Sequence, residues 1–113
     1  MGWAEPSQAR PARAPRPRAV CAILRAETHP GADDEFEALI SDLAHHVREA
    51  EAGCDSYTVT RAMGSQAHFV VHARFLDWDA FEGHADTPHL NRLMPRLSAL
   101  LAAPLSMEIF LEV

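Results

Sequence analysis

The sequence contains no lysine, only two cysteines, and no apolar run long enough to cross a bilayer. A transmembrane helix needs about 20 consecutive apolar residues, so we predict no membrane span. The beginning of the chain lacks the apolar core of a secretory signal. Cys21 and Cys54 do not form a CxxC pair, and two such cysteines give no disulfide framework. We therefore expect a cytoplasmic protein with reduced thiols and no membrane contact.

Positive charge is also scarce. The 113 residues include 10 arginines against 16 acidic residues, a net charge of −6. Residues 1–19 carry four of the arginines and one glutamate, so the rest of the chain has a net charge of −9. Proteins bind nucleic acids largely by neutralising phosphates, which an acidic body does poorly. We expect no nucleic acid partner.

The chain divides into a tail and one domain. Residues 1–18 are rich in Pro, Ala and Arg, a composition that favours a disordered or extended segment. An arm anchored on a partner subunit by Trp3 is the alternative. Residues 19–113 form a single domain, and a chain of this size can bury a core without disulfides or metals.

The first half of the domain predicts a strand followed by a helix. Residues 20–27 alternate with period two, which indicates a strand. From Phe36 onward apolar residues recur at helical spacing, and the helix is expected to end near Gly53. Asp33 or Asp34 is expected to cap its beginning.

The second half predicts a hairpin, two helical segments and a last strand. Residues 54–63 and 67–76 flank a short polar turn, which is typical of an antiparallel hairpin. A short helix over about 79–86 follows, capped by Asp77 or Asp79. A second helical segment begins at Thr87-Pro88, where Pro95 is expected to kink or end it. Residues 105–112 form the last strand.

The resulting order, β-α-β-β-α-β, predicts an α+β fold of the ferredoxin-like type. It has a four-stranded antiparallel sheet with helices on one face. The last strand is apolar on one face, with Leu105, Met107, Ile109 and Leu111. An apolar sheet face that no helix covers indicates a partner. We expect a homodimer whose two sheets pack together, and we expect Arg74, His72 and Tyr57 near that contact, with Glu108 as a partner for the arginine.

Three motifs carry a resemblance to a known family. They are E-A-G-C at residues 51–54, the strand HFVVHARF at 68–75 and H-A-D-T-P-H at 84–89. With Tyr57, they resemble the antibiotic biosynthesis monooxygenase family, over residues 19–113. The resemblance implies a dimeric α+β barrel. It also implies a cofactor-independent monooxygenase that oxidises a quinol or an aromatic polyketide-type phenol with O₂, without metal or flavin.

Such chemistry needs an apolar slot for a planar aromatic substrate and a base that ionises it. Residues expected to line the slot are Phe69, Val71, Phe75, Phe81 and Met94, unless they are simply core. His84 is the expected base or substrate anchor, because histidine titrates near neutral pH. His46 and His89 are expected to assist it. A structural role is the alternative for His84 and His89, and an ordinary surface histidine is the alternative for His46.

Some features separate this chain from well-known relatives. Quinol-oxidising relatives carry Tyr-Glu-x-Trp where this chain has His72-Ala73-Arg74-Phe75. Polyketide-oxidising relatives carry Asn, Trp and Tyr, which correspond to Val71, Phe75 and Phe81. A non-redox isomerase or cyclase, or a non-catalytic binding dimer, therefore stays open. The histidines lack the spacing of metal ligands on one helix face, so no metal site is predicted.

Overall fold

The computed structural model describes residues 18–113. The predicted tail falls almost entirely on residues 1–17, outside the described residues. The strands are β1 (Val20–Glu27), β2 (Cys54–Arg61), β3 (His68–Phe75) and β4 (Ser106–Leu111), and the helices are α1 (Asp33–Ala50), α2 (Trp78–His84) and α3 (Pro88–Ala99). No helix in this part of the chain is long and apolar enough to span a membrane.

The four strands form one antiparallel sheet in the order β2-β3-β1-β4. This confirms the predicted ferredoxin-like α+β fold. The side chains of β1 and β3 alternate, so one face of each strand is apolar and meets the helices. On β3 that face carries Phe69, Val71, Ala73 and Phe75, all buried, as the period-two pattern predicts.

The core lies between this sheet face and α1. The buried stripe of α1 consists of Phe36, Leu39, Ile40, Leu43, Ala44 and Val47. Helix α3 packs beside α1 through Leu93 and Leu97, which are also buried. The predicted apolar stripe of α1 is therefore the face that builds the core.

One local prediction is wrong, and one of the two effects expected of Pro95 does not occur. Neither Asp33 nor Asp34 caps α1: the N-cap residue is Ala32, and no side chain caps the helix. Asp33 instead forms an ion pair with Arg61 of β2. Pro95 does not end a helix, because α3 continues through it. By contrast Asp77 caps α2, and its carboxylate accepts a hydrogen bond from the Ala80 amide at 2.8 Å.

Two predictions about the uncovered sheet face are also wrong. Arg74 does not pair with Glu108; it pairs with Glu112 and Asp55, while Glu108 pairs with Arg25. Tyr57 does not lie on that face at all. It stands opposite Ala73 in the β2–β3 ladder and is buried on the helix side.

Candidate active site

A cavity of about 980 Å³ lies between the sheet and helices α2 and α3. Its floor on the sheet includes Ala22, Ala26 and Ala73. These small side chains leave space that larger residues would fill. The wall is almost entirely apolar, a character typical of pockets for small organic ligands.

The structure brings most of the predicted site residues to this cavity. All five predicted slot residues line it, namely Phe69, Val71, Phe75, Phe81 and Met94, and His84 lines it as well. His89 is buried behind His84 rather than in the cavity wall. His46 is farther out: its side chain is 40% exposed, and its ring stacks on that of His89.

His84 is held by a carboxylate that the sequence analysis did not assign to the site. Its Nδ1 lies 2.9 Å from both carboxylate oxygens of Glu51. A carboxylate only accepts hydrogen bonds, so Nδ1 carries the proton and donates it. In the neutral ring Nε2 then has the lone pair. Among residues 18–113 no group hydrogen-bonds to that nitrogen, and it is not sealed from solvent.

Glu51 also accepts a hydrogen bond from His89, whose Nε2 lies 2.5 Å from its carboxylate. All three side chains are at most 14% exposed. The ends of three helices bring them together: Glu51 follows the last residue of α1, His84 ends α2, and His89 lies in the first turn of α3. The Thr87 hydroxyl donates to the His84 carbonyl at 2.9 Å and fixes the junction.

The same three residues have donor atoms within 4.8 Å of one another, close enough to hold a metal ion. Two imidazoles and one carboxylate are ligands that Zn²⁺ and non-haem Fe²⁺ accept. In this structure, however, each of these atoms is already in a hydrogen bond within the group. The hydrogen bonds account for the arrangement as it stands, and the absence of a metal site stays a prediction.

Tyr57 is the other polar group of the cavity interior. Its ring centroid lies 5.7 Å from that of His84, and Phe75 packs against the same imidazole at 5.3 Å. Burial raises the pKa of the Tyr57 hydroxyl, with smaller contributions from Cys54 and Glu51. Tyr57 therefore stays a neutral phenol at physiological pH.

The cavity mouth carries negative charge. Asp79, Glu82 and Asp86 contribute to its lining, and all three are exposed. No arginine lines the cavity in the described part of the chain. The arrangement can therefore accept a proton at His84 Nε2 and donate a hydrogen bond from Tyr57, inside an apolar space with an acidic entrance.

Sequence reasoning missed Glu51 as a functional residue and placed Tyr57 on the wrong face. Both belong to motifs noted in the sequence, but a motif does not say which side chains meet. One signal was available for Tyr57: it alternates with Val59 on β2, and both pair with buried residues of β3. Glu51 gave no such signal, because its role depends on the meeting of three helix ends.

Comparisons with known proteins identify a family and proteins of similar fold. The model of the family described as antibiotic biosynthesis monooxygenase matches residues 19–96. A proposed antibiotic biosynthesis monooxygenase from Caulobacter crescentus has a similar fold, with a TM-score of 0.81 and 23% identity over 86% of this chain and 92% of that one.

SnoaB, a cofactor-independent oxygenase from Streptomyces nogalater, has a TM-score of 0.72 and 25% identity, over 81% of this chain and 90% of that one. Rv0793 from Mycobacterium tuberculosis has a TM-score of 0.78 and 24% identity, over 84% and 95%. A search of the curated proteins finds no significant match.

Proposed function

Because the chain belongs to the antibiotic biosynthesis monooxygenase family, we propose that it is a cofactor-independent monooxygenase acting on a quinol or a polyketide-type phenol. The observation that carries the proposal is His84. Its imidazole borders an apolar cavity, has Nδ1 fixed by Glu51, and keeps Nε2 accessible. A base held this way can ionise a phenol in a site of low polarity.

The reaction follows from that proton transfer. His84 Nε2 takes the proton of a substrate hydroxyl, and the electron-rich anion passes one electron to O₂. The resulting substrate radical and superoxide combine in a carbon–oxygen bond. The peroxide recovers the proton from His84, and loss of water leaves a carbonyl at the former C–H carbon. One oxygen atom enters the product and the other leaves as water.

The test is oxygen consumption with reduced naphthoquinols, corrected for autoxidation in buffer. We expect His84→Ala to lower the rate about 100-fold or more, a usual value for a lost general base. His29→Ala is the matched control, because His29 is exposed and lies outside the cavity lining. A wild-type rate equal to that of buffer, or full activity in His84→Ala, would overturn the proposal.

Two further measurements separate it from its alternatives. A product of unchanged mass would indicate an isomerase or cyclase, which the neighbouring acceptor and donor at His84 and Tyr57 could also support. Dialysis against a chelator, followed by metal analysis, tests whether Glu51, His84 and His89 hold an ion. The proposal expects activity to survive dialysis in full, and a loss restored by one divalent metal would contradict it.

We also propose that two copies form a dimer. Strand β4 is an edge of the sheet with apolar side chains exposed on both faces: Met107 is 53% exposed, Ile109 43% and Phe110 49%. Met107 and Ile109 also belong to the cavity lining, so a second chain over β4 would cover the cavity as well. Light scattering should give twice the chain mass at micromolar concentration, and a monomer would contradict the dimer.

A further inference from the structure

Tyr57 is a polar residue in an otherwise apolar part of the sheet. The residue is 4% exposed and lines the cavity. A buried tyrosine hydroxyl almost always has a hydrogen-bond partner. Here no group among residues 18–113 bonds to the hydroxyl, and the hydroxyl is not sealed from solvent. Water, or a ligand that enters the cavity, can therefore accept a hydrogen bond from it.

At physiological pH this hydroxyl keeps its proton and can donate it in a hydrogen bond. Burial holds the phenol in its neutral form, so it cannot act as a base beside His84. The backbone around it is fixed as well, because Arg48 of α1 donates a hydrogen bond to the Tyr57 carbonyl at 3.0 Å. The donor is thus held in place before any ligand arrives, which reduces the entropic cost of the bond.

We propose that the Tyr57 hydroxyl donates a hydrogen bond to an acceptor oxygen of the substrate while His84 Nε2 binds the hydroxyl that is ionised. The proposal rests on the function proposed above, in that the cavity is the substrate site. With ring centroids 5.7 Å apart, the two side chains can reach one ligand together. The substrate class is then an aromatic compound with two oxygens, one an ionisable hydroxyl and the other a carbonyl or ether acceptor.

The experiment compares two redox-stable ligands of the same ring skeleton, 1-tetralone and tetralin, which differ by the carbonyl. Their dissociation constants are measured with wild type and with Tyr57→Phe. In Tyr57→Phe the dissociation constant of 1-tetralone, divided by that of tetralin, should rise about 3- to 10-fold. This is the effect of losing one neutral hydrogen bond. An unchanged ratio would overturn the proposal, as would failure of both ligands to bind wild type.

Phe81→Leu is the matched control, since Phe81 lines the cavity with no polar atom. It should weaken both ligands alike and leave the ratio unchanged; a shift equal to that in Tyr57→Phe would count against Tyr57. Wild type alone gives a second readout: the carbonyl stretch of bound tetralone should lie below its frequency in hexane. A frequency equal to that in hexane would overturn the proposal even if Tyr57→Phe did not fold.

These measurements need neither O₂ nor turnover. A protein that shows the tetralone effect but consumes no oxygen would keep the role of Tyr57 and lose the proposed monooxygenase activity. A protein that consumes oxygen through His84 without the tetralone effect would do the reverse.

Discussion

Among single residues, burial decides which side chains near the site can change charge. The Cys54 thiol has its pKa raised to about 11, mainly by burial and then by the nearby Glu51 carboxylate. At pH 8 only about 0.1% of it is thiolate, so it is a poor nucleophile. Burial also keeps Tyr57 neutral. Of the polar groups inside the cavity, His84 is thus the one suited to accept a proton.

The ionisation of Tyr57 can be measured directly, because it is the only tyrosine in the chain. In the folded protein we expect no rise in absorbance at 295 nm between pH 9 and 11, whereas the unfolded chain should ionise near pH 10. The pKa is higher in the folded state, so its contribution to stability is complete below pH 10 and declines as pH rises further. Urea midpoints should fall above pH 10 less steeply in Tyr57→Phe. A native rise centred at pH 10 would refute the burial argument.

Glu51 is the residue on which the two histidines depend. Glu51→Gln keeps the size of the side chain but replaces an accepting oxygen by a donating amide, so one imidazole loses its acceptor. The His84 tautomer is then no longer fixed, and we expect oxygen consumption to fall about 100-fold or more.

Glu49→Gln, an exposed change in the last turn of α1, is the control for Glu51→Gln and should leave the rate unchanged. Thermal melting of both variants distinguishes a loss of catalysis from a loss of folding. Full activity of Glu51→Gln would show that the carboxylate does not orient His84.

At the scale of helices and strands, the periodicity of apolar residues correctly predicted which face of an element is buried. It failed where a residue from a distant part of the chain changes the local structure. The α1 stripe and the β2–β3 hairpin follow from local spacing and are correct. The predicted cap of α1 was wrong because Asp33 forms an ion pair with Arg61, which lies 28 positions later in the chain. Helix α3 passes through Pro95 because that residue is exposed while Leu93 and Leu97 on either side are buried. Packing of these leucines outweighs the lost hydrogen bond.

Helix α2 carries His84, and its position depends on close contact with Gly53. A methyl group built on Gly53 would lie 2.6 Å from the Ala80 side chain. Neither group can rotate away, so α2 must move. We expect Gly53→Ala to lower the free energy of unfolding by about 1–3 kcal/mol and to reduce activity by displacing His84.

Gly83→Ala is the matched control for Gly53→Ala. Gly83 lies in α2, the helix that Gly53→Ala would displace, and no atom lies within 4 Å of the methyl group that alanine would add there. Alanine favours helix over glycine, so this variant should be more stable by up to about 1 kcal/mol. Urea unfolding of the pair checks both signs. Equal stability of Gly53→Ala and wild type would mean that α2 adapts without cost.

At the scale of the whole molecule, the fold was predictable because the apolar residues of each strand and each helix recur with the period of that element. The site was only half predictable. Its apolar wall follows from which face of β3 is apolar, but the pairing of His84 with Glu51 requires three helix ends to meet. Glu51 lies 33 positions before His84 and 38 positions before His89. No local sequence pattern connects residues so far apart.

The distribution of charge over the molecule leads to a last prediction about substrates. The carboxylates of Glu82 and Asp86 at the mouth, where no arginine of residues 18–113 joins the lining, should repel anions at low ionic strength and less so at high salt. We expect 1-naphthol to bind about 10-fold or more tightly than 1-hydroxy-2-naphthoate, a gap in binding free energy of about 1.4 kcal/mol.

The double variant Glu82→Gln/Asp86→Asn should narrow this gap between the two ligands. Glu49→Gln also removes negative charge, but outside the cavity lining, so it should leave the gap nearly unchanged. Equal narrowing by Glu49→Gln would assign the effect to net charge alone, and equal binding of the two ligands to wild type would show that the mouth does not discriminate.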